Sequence, residues 1–127
     1  MSEVQLKPAV PILFVRDAPA SAAFFRDRLG FAVDFLHGDP PFYGSVSRGG
    51  ARLHLRFVRE PNFSELARRE PSLILAMIEV SDVHALYAEF EAAGVDFAQK
   101  VTEQPWGGTD FQIRDPDGNA ISFVTYT

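Results

Sequence analysis

Residues 103–123 read EQPWGGTDFQIRDPDGNAISF. Two alternating runs, Asp110 to Arg114 and Ala120 to Val124, meet across Asp-Pro-Asp-Gly-Asn, which is hairpin-turn chemistry. Successive strand residues point to opposite faces, so Phe111, Ile113, Ile121 and Phe123 share one side of the hairpin. Asp110, Gln112, Arg114, Ala120, Ser122 and Val124 share the other. The first side is built to be covered by helices, and the second, polar and small, is expected to line a concavity or face water. The stretch SRGGARLHLRF, residues 47–57, follows the same plan, with Gly50 aligned on Gly118 and His54 on Ser122.

The likeness extends upstream of both hairpins. The run from Val10 to Val15 is apolar and β-branched, as a buried strand would be. Asp17 then suits a helix N-cap, Pro19 a first helical turn and Gly30 a C-terminal stop, with Ala22, Phe25 and Leu29 as the apolar stripe between them. The plan returns in AMIEVSDVHALYAEFEAAGVDF, residues 76–97, with a strand ending at Val80, a cap at Ser81 or Asp82 and a stop at Gly94. The corresponding caps and stops lie about 65 residues apart. The spacing predicts an α+β chain of two tandem βαβββ units, about 8–58 and 73–126. The Pro-, Glu- and Arg-rich linker at about 59–72 has room for a short helix.

Composition bounds what such a chain does. At 127 residues it is one domain by size, and with 46% apolar residues and 12 phenylalanines it can bury a core. Twelve Lys and Arg against 17 Asp and Glu leave no basic footprint for nucleic acid. Absence of cysteine excludes disulfides, thiolate metal sites and cysteine nucleophiles. AVPILFV, residues 9–15, is too short for a membrane span and has no cleavage pattern, so a cytoplasmic location is expected. The serines occur in no nucleophile-elbow motif, so no catalytic residue is assigned.

Paired βαβββ units closed by RDPDGN resemble the vicinal oxygen chelate superfamily, which contains glyoxalase I, extradiol dioxygenases, and fosfomycin and bleomycin resistance proteins. The resemblance runs from about Val10 to Val124. AVPILFVRDAPASAAFFRDRLGFAVDF, residues 9–35, and EQPWGGTDFQIRDPDGNAISFV, residues 103–124, are most similar to the bleomycin resistance branch. The resemblance implies a half-open barrel-like sheet with helices outside, in an arm-exchanged homodimer. Pro11, which cannot donate to a ladder, fits a sheet edge or a crossing between chains. The superfamily's enzymes hold a divalent metal with four strand side chains, and the matching positions here are Val10, His54, Leu75 and Ser122. Three of these are not strong ligands, so neither metal nor other cofactor is expected.

The resemblance implies a binding protein that sequesters a bleomycin-like glycopeptide at its dimer interface. The alternatives are a metal-dependent glyoxalase- or dioxygenase-type enzyme, or a binder of another aromatic metabolite or antibiotic. Trp106, flanked by Pro105, Gly107 and Gly108, is either a core plug or a ligand wall, and the resembled branch favours the wall. Phe35 and Met77 fall on pocket positions of that branch. Phe42 and Tyr43, in DFLHGDPPFYG, belong either to a ligand-closing loop or to a hairpin packed on its sheet. Asp34, Asp39, Glu79 and Glu103 could complement a cation, each weakly. His54 and Ser122 lie on the cavity side by alternation, as does Arg56, a positive charge at odds with a cationic ligand.

Overall fold

The computed structural model describes residues 3–70 and 73–127, so the last two residues of the linker lie outside the described region. The first half consists of β1 (Ile12–Val15), α1 (Ala18–Leu29), β2 (Ala32–Gly38), β3 (Pro41–Arg48) and β4 (Ala51–Phe57). After α2 (Phe63–Arg69) the pattern repeats as β5 (Ala76–Glu79), α3 (Val83–Ala92), β6 (Asp96–Glu103), β7 (Gly108–Arg114) and β8 (Ala120–Tyr126). Each half forms a mixed four-stranded sheet, ordered β1-β4-β3-β2 and β5-β8-β7-β6, and the two sheets remain separate and unclosed.

Local chemistry sets both helices. Asp17 accepts from the Ala20 amide at 3.0 Å, and Asp82 accepts from that of Ala85 at 3.0 Å. Each satisfies a donor that the first helical turn leaves open. Gly30 ends α1 at φ 73°, a left-handed conformation that costs glycine nothing. The helix stripe and the inward strand residues then close one core, in which Phe25, Leu29, Leu53 and Leu55 of the first half join Phe90, Phe111, Ile113 and Ile121 of the second. Each fully buried apolar side chain contributes roughly 1.5–3 kcal/mol. The alternation expected for the closing hairpin holds, because Phe111, Ile113, Ile121 and Phe123 all face this core.

Two details go beyond the sequence pattern. Of the two forms open to DFLHGDPPFYG the hairpin is the one adopted, placing Phe35 on β2 and Phe42 and Tyr43 on β3. Its Asp39–Pro40 peptide is cis. The polar side of the second hairpin is also less open than its composition implies, since Asp110, Gln112, Ser122 and Val124 are all buried within the single chain. Larger neighbours carried on the same sheet side explain this, as the site geometry shows. Among the described residues no helix is long and apolar enough to cross a membrane.

Candidate functional site

The side of each sheet turned away from its helix is termed its outer face. In the first repeat, β4 pairs with β1 and β3 so that Ile12 and Ser45 oppose His54, while Phe14 and Tyr43 oppose Arg56. All six side chains therefore share the outer face. Tyr43 Oη and His54 Nδ1 share a hydrogen bond of 2.8 Å, and the rings meet edge to face at 5.3 Å. Phe35 approaches the other side of the imidazole at 6.0 Å. A register shift between Val33 and Phe35 turns Asp34 toward the same face, where Ser45 and Ser47 donate to its carboxylate at 2.8 and 2.7 Å. The Ser47 bond, then the Ser45 bond and the Arg52 charge, hold that carboxyl below the usual range against the opposing pull of desolvation. Asp34 is thus a satisfied buttress with Arg52 3.8 Å away, not a free acid. Phe42 makes its ring contact with His37, at 5.5 Å, near the hairpin end.

The outer face of the second repeat is built on amides. Gln99 and Gln104 donate to Asp110 at 2.7 and 2.9 Å, and Gln112 donates to Gln99 at 3.2 Å. This network covers β7, and Ser122 beneath it is 0% exposed, with its hydroxyl unpaired among the described residues. Above the polar layer stand Trp106, Tyr126 and Met77, all about half exposed. Trp106 and Tyr126 lie 5.9 Å apart, and Tyr126 Oη reaches Met77 Sδ at 3.6 Å. Trp106 is held from below by its turn, where Gly107 N–H donates to Gln104 O and Thr127 donates to Gly107 O. At 52% exposure the ring is not a core plug. Gly108 lets the ring lie directly over the turn, where a Cβ would make the indole shift.

Alternation alone did not reveal what joins the repeats. Asp117 accepts from Arg16 N–H at 3.1 Å, and Asn119 donates to Phe14 O at 3.0 Å, so the closing turn of the second repeat grips the β1–α1 corner of the first. Asp115 stiffens that turn by accepting from Asp117 N, Asn119 N and Asn119 Nδ2. Burial pushes the Asp115 carboxyl up to about 6 despite those bonds. The pseudo-equivalent seam, between the Arg48–Ala51 turn and the Glu79–Asp82 corner, is instead an open cleft of about 810 Å³. Of the ligand residues expected from sequence, Met77 and the acidic candidate Glu79 border it.

The metal positions of the resembled enzymes do not fit an ion here. Val10 and Leu75 carry no donor, Ser122 offers a buried hydroxyl, and the His54 Nδ1 is engaged by Tyr43. No group of three or more His, Asp or Glu side chains suited to a metal occurs among the described residues. One imidazole cannot replace an ion's hydration shell.

Residues 6–123 match the Glyoxalase/Bleomycin resistance protein/Dioxygenase superfamily. The chain is 28% identical over 126 residues to a bleomycin resistance protein of Geobacillus stearothermophilus, covering 91% of this chain and 93% of that one. It is 35% identical to the bleomycin-binding protein of bleomycin-producing Streptomyces verticillus, whose crystal structure contains copper(II)-bleomycin. That superposition covers 98% of this chain and 99% of the other, with a TM-score of 0.75. Another bleomycin-binding protein, crystallised with bleomycin, is 25% identical, with coverage of 96% and 100% and a TM-score of 0.73. By the match along nearly its whole length and by its fold, the chain belongs to the glyoxalase/bleomycin resistance protein/dioxygenase superfamily.

Proposed function

We propose that this protein is a metal-independent binding protein that sequesters a bleomycin-like antibiotic on its outer faces. The observation that carries the reading is the pair of aromatic platforms those faces present, Phe35, Tyr43 and His54 on one and Trp106, Tyr126 and Met77 on the other. Each stands over hydrogen-bonded polar residues that fix its position. A flat heteroaromatic group stacked on such rings gains roughly 0.5–1.5 kcal/mol per ring beyond the area it buries. The 35% identical relative with bound copper(II)-bleomycin agrees with this class of ligand. The donor set at Val10, His54, Leu75 and Ser122 speaks against the metal-dependent alternative.

The working unit in this reading is a homodimer in the cytoplasm, with the two aromatic platforms meeting across a crevice between copies. The arm before β1 supports it, since Val4 and Leu6 are 93% and 95% exposed, an unfavourable placement for large apolar side chains in a lone chain. Isologous pairing under a two-fold axis would yield two equivalent crevices.

Calorimetric titration with metal-free and copper-loaded bleomycin, alongside metal analysis of the purified protein, tests the proposal. Saturable binding to a protein that carries no stoichiometric metal, with a dimer mass in sedimentation, is the expected result. Stoichiometric metal together with EDTA-sensitive turnover of a thiohemiacetal would establish the enzyme instead.

A further inference from the structure

The repeats differ in charge at one matched position on their outer faces. In the first, Arg56 on β4 stands between Phe14 of β1 and Tyr43 of β3. The same place in the second is Val124 on β8, between Glu79 of β5 and Asp110 of β7. The fold therefore accepts an apolar residue at this rung and has no need of a cation there. Yet Arg56 is exposed, and its guanidinium makes no ion pair or hydrogen bond among the described residues. The other charged groups on this face leave it uncompensated. Asp34 is taken by Ser45, Ser47 and Arg52, and the remaining groups, Arg52, His37 and His54, are themselves basic or neutral. The nearest acid on α2, Glu65, pairs with Arg69 of its own helix.

An uncommitted guanidinium set between two rings, and two residues along the strand from the Tyr43-bonded His54, offers five donors to an oxygen-rich group. We propose that Arg56 makes the first-repeat platform a subsite for a carboxylate, or a similarly electron-rich oxygen group, on a ligand whose aromatic part lies on Phe35, Tyr43 and His54. A cationic portion of the same ligand is then turned toward the second-repeat platform, where the exposed Glu79 stands beside the matched rung. The inference rests on ligand binding at the outer faces, and it predicts a preference that the aromatic platforms alone do not.

Two probes with one ring system and opposite charge, naphthoate and naphthylmethylammonium, separate the possibilities when titrated at low salt with amide NMR spectra as the readout. Naphthoate is expected to perturb the amides around residues 43–45 and 54–57 and to bind there roughly threefold to tenfold more tightly than the ammonium probe. Arg56→Gln should abolish that gap, Arg56→Lys should retain part of it, and added salt should shrink it. The exposure of Arg56 makes these variants safe for folding, which a melting curve checks. An undiminished gap in Arg56→Gln, or a wild-type preference for the ammonium probe at these amides, would overturn the inference while leaving the face as a binding site. If Phe35→Ala and Tyr43→Ala leave both probes binding as before, the outer-face reading itself fails.

Discussion

The two seams between the repeats began from the same plan and ended differently. Five residues, Asp115 to Asn119, connect β7 to β8 and reach across to the corner after β1. Only Gly49 and Gly50 connect β3 to β4, and they reach nothing on the corner after β5. One seam is a hydrogen-bonded staple, and the other is a cleft crossed at its rim by the Arg48–Glu89 ion pair at 2.7 Å. That pair is partly exposed and solvated, so it adds little. Three extra turn residues with short polar side chains thus determine where the chain is closed and where it can open. The outer faces diverged in parallel: aromatic and basic in the first repeat, amide-rich with an exposed indole in the second.

Breaking the staple should have the largest effect. Asn119→Ala removes a fully buried amide bonded to Phe14 O and Asp115, and is expected to cost roughly 2–4 kcal/mol in urea unfolding. Gly50→Ala in the opposite turn, where a new methyl meets nothing within 4 Å, should stay within about 0.5 kcal/mol of the parent. Equal losses would refute the claim that only one seam is fastened.

The staple should also be sensitive to pH. Asp115 has a folded pKa of about 6, above its unfolded value, so its contribution favours the folded state fully below pH 4 and is lost as pH rises through about 6. The loss amounts to roughly 3 kcal/mol at most. Stability measured at pH 5 and pH 8 should therefore differ less in Asp115→Asn than in the parent, even if the variant is less stable at both. An unchanged difference would place the titration elsewhere.

Only a small effect on stability is expected at the indole. Trp106→Ala should cost about 1 kcal/mol or less, well short of the 3–5 kcal/mol typical of a buried aromatic such as Phe111, while weakening bleomycin binding in the calorimeter. A loss of several kcal/mol with binding intact would return the ring to the core.

Several features could be read from the residues because they depend on near neighbours. Asp17 and Asp82 cap the turns that follow them, and alternation sorted Phe111 from Gln112 and Leu55 from His54. Other features escaped. Strict alternation sets Asp34 opposite Phe35, and only the register shift in β2 brings its carboxylate to Ser45 and Ser47. DPDGN reads as a turn, but nothing within it tells that Asn119 will meet Phe14, 105 residues away. Phe63, in the linker, packs on Phe14 at 5.4 Å, another partner that periodicity does not specify.

By itself, then, the sequence determined the duplication, the capped helices and the inward faces, since each follows from residue type and from periods of 2 and 3.6 along the chain. Tertiary structure alone decided that Trp106 is exposed above a buried amide layer, that Asp34 is spent on two serines while Arg56 is left free, and that one seam is stapled and the other open. Those outcomes depend on which distant groups arrive within hydrogen-bond reach once both sheets have packed on a common core, and no local pattern encodes that distance.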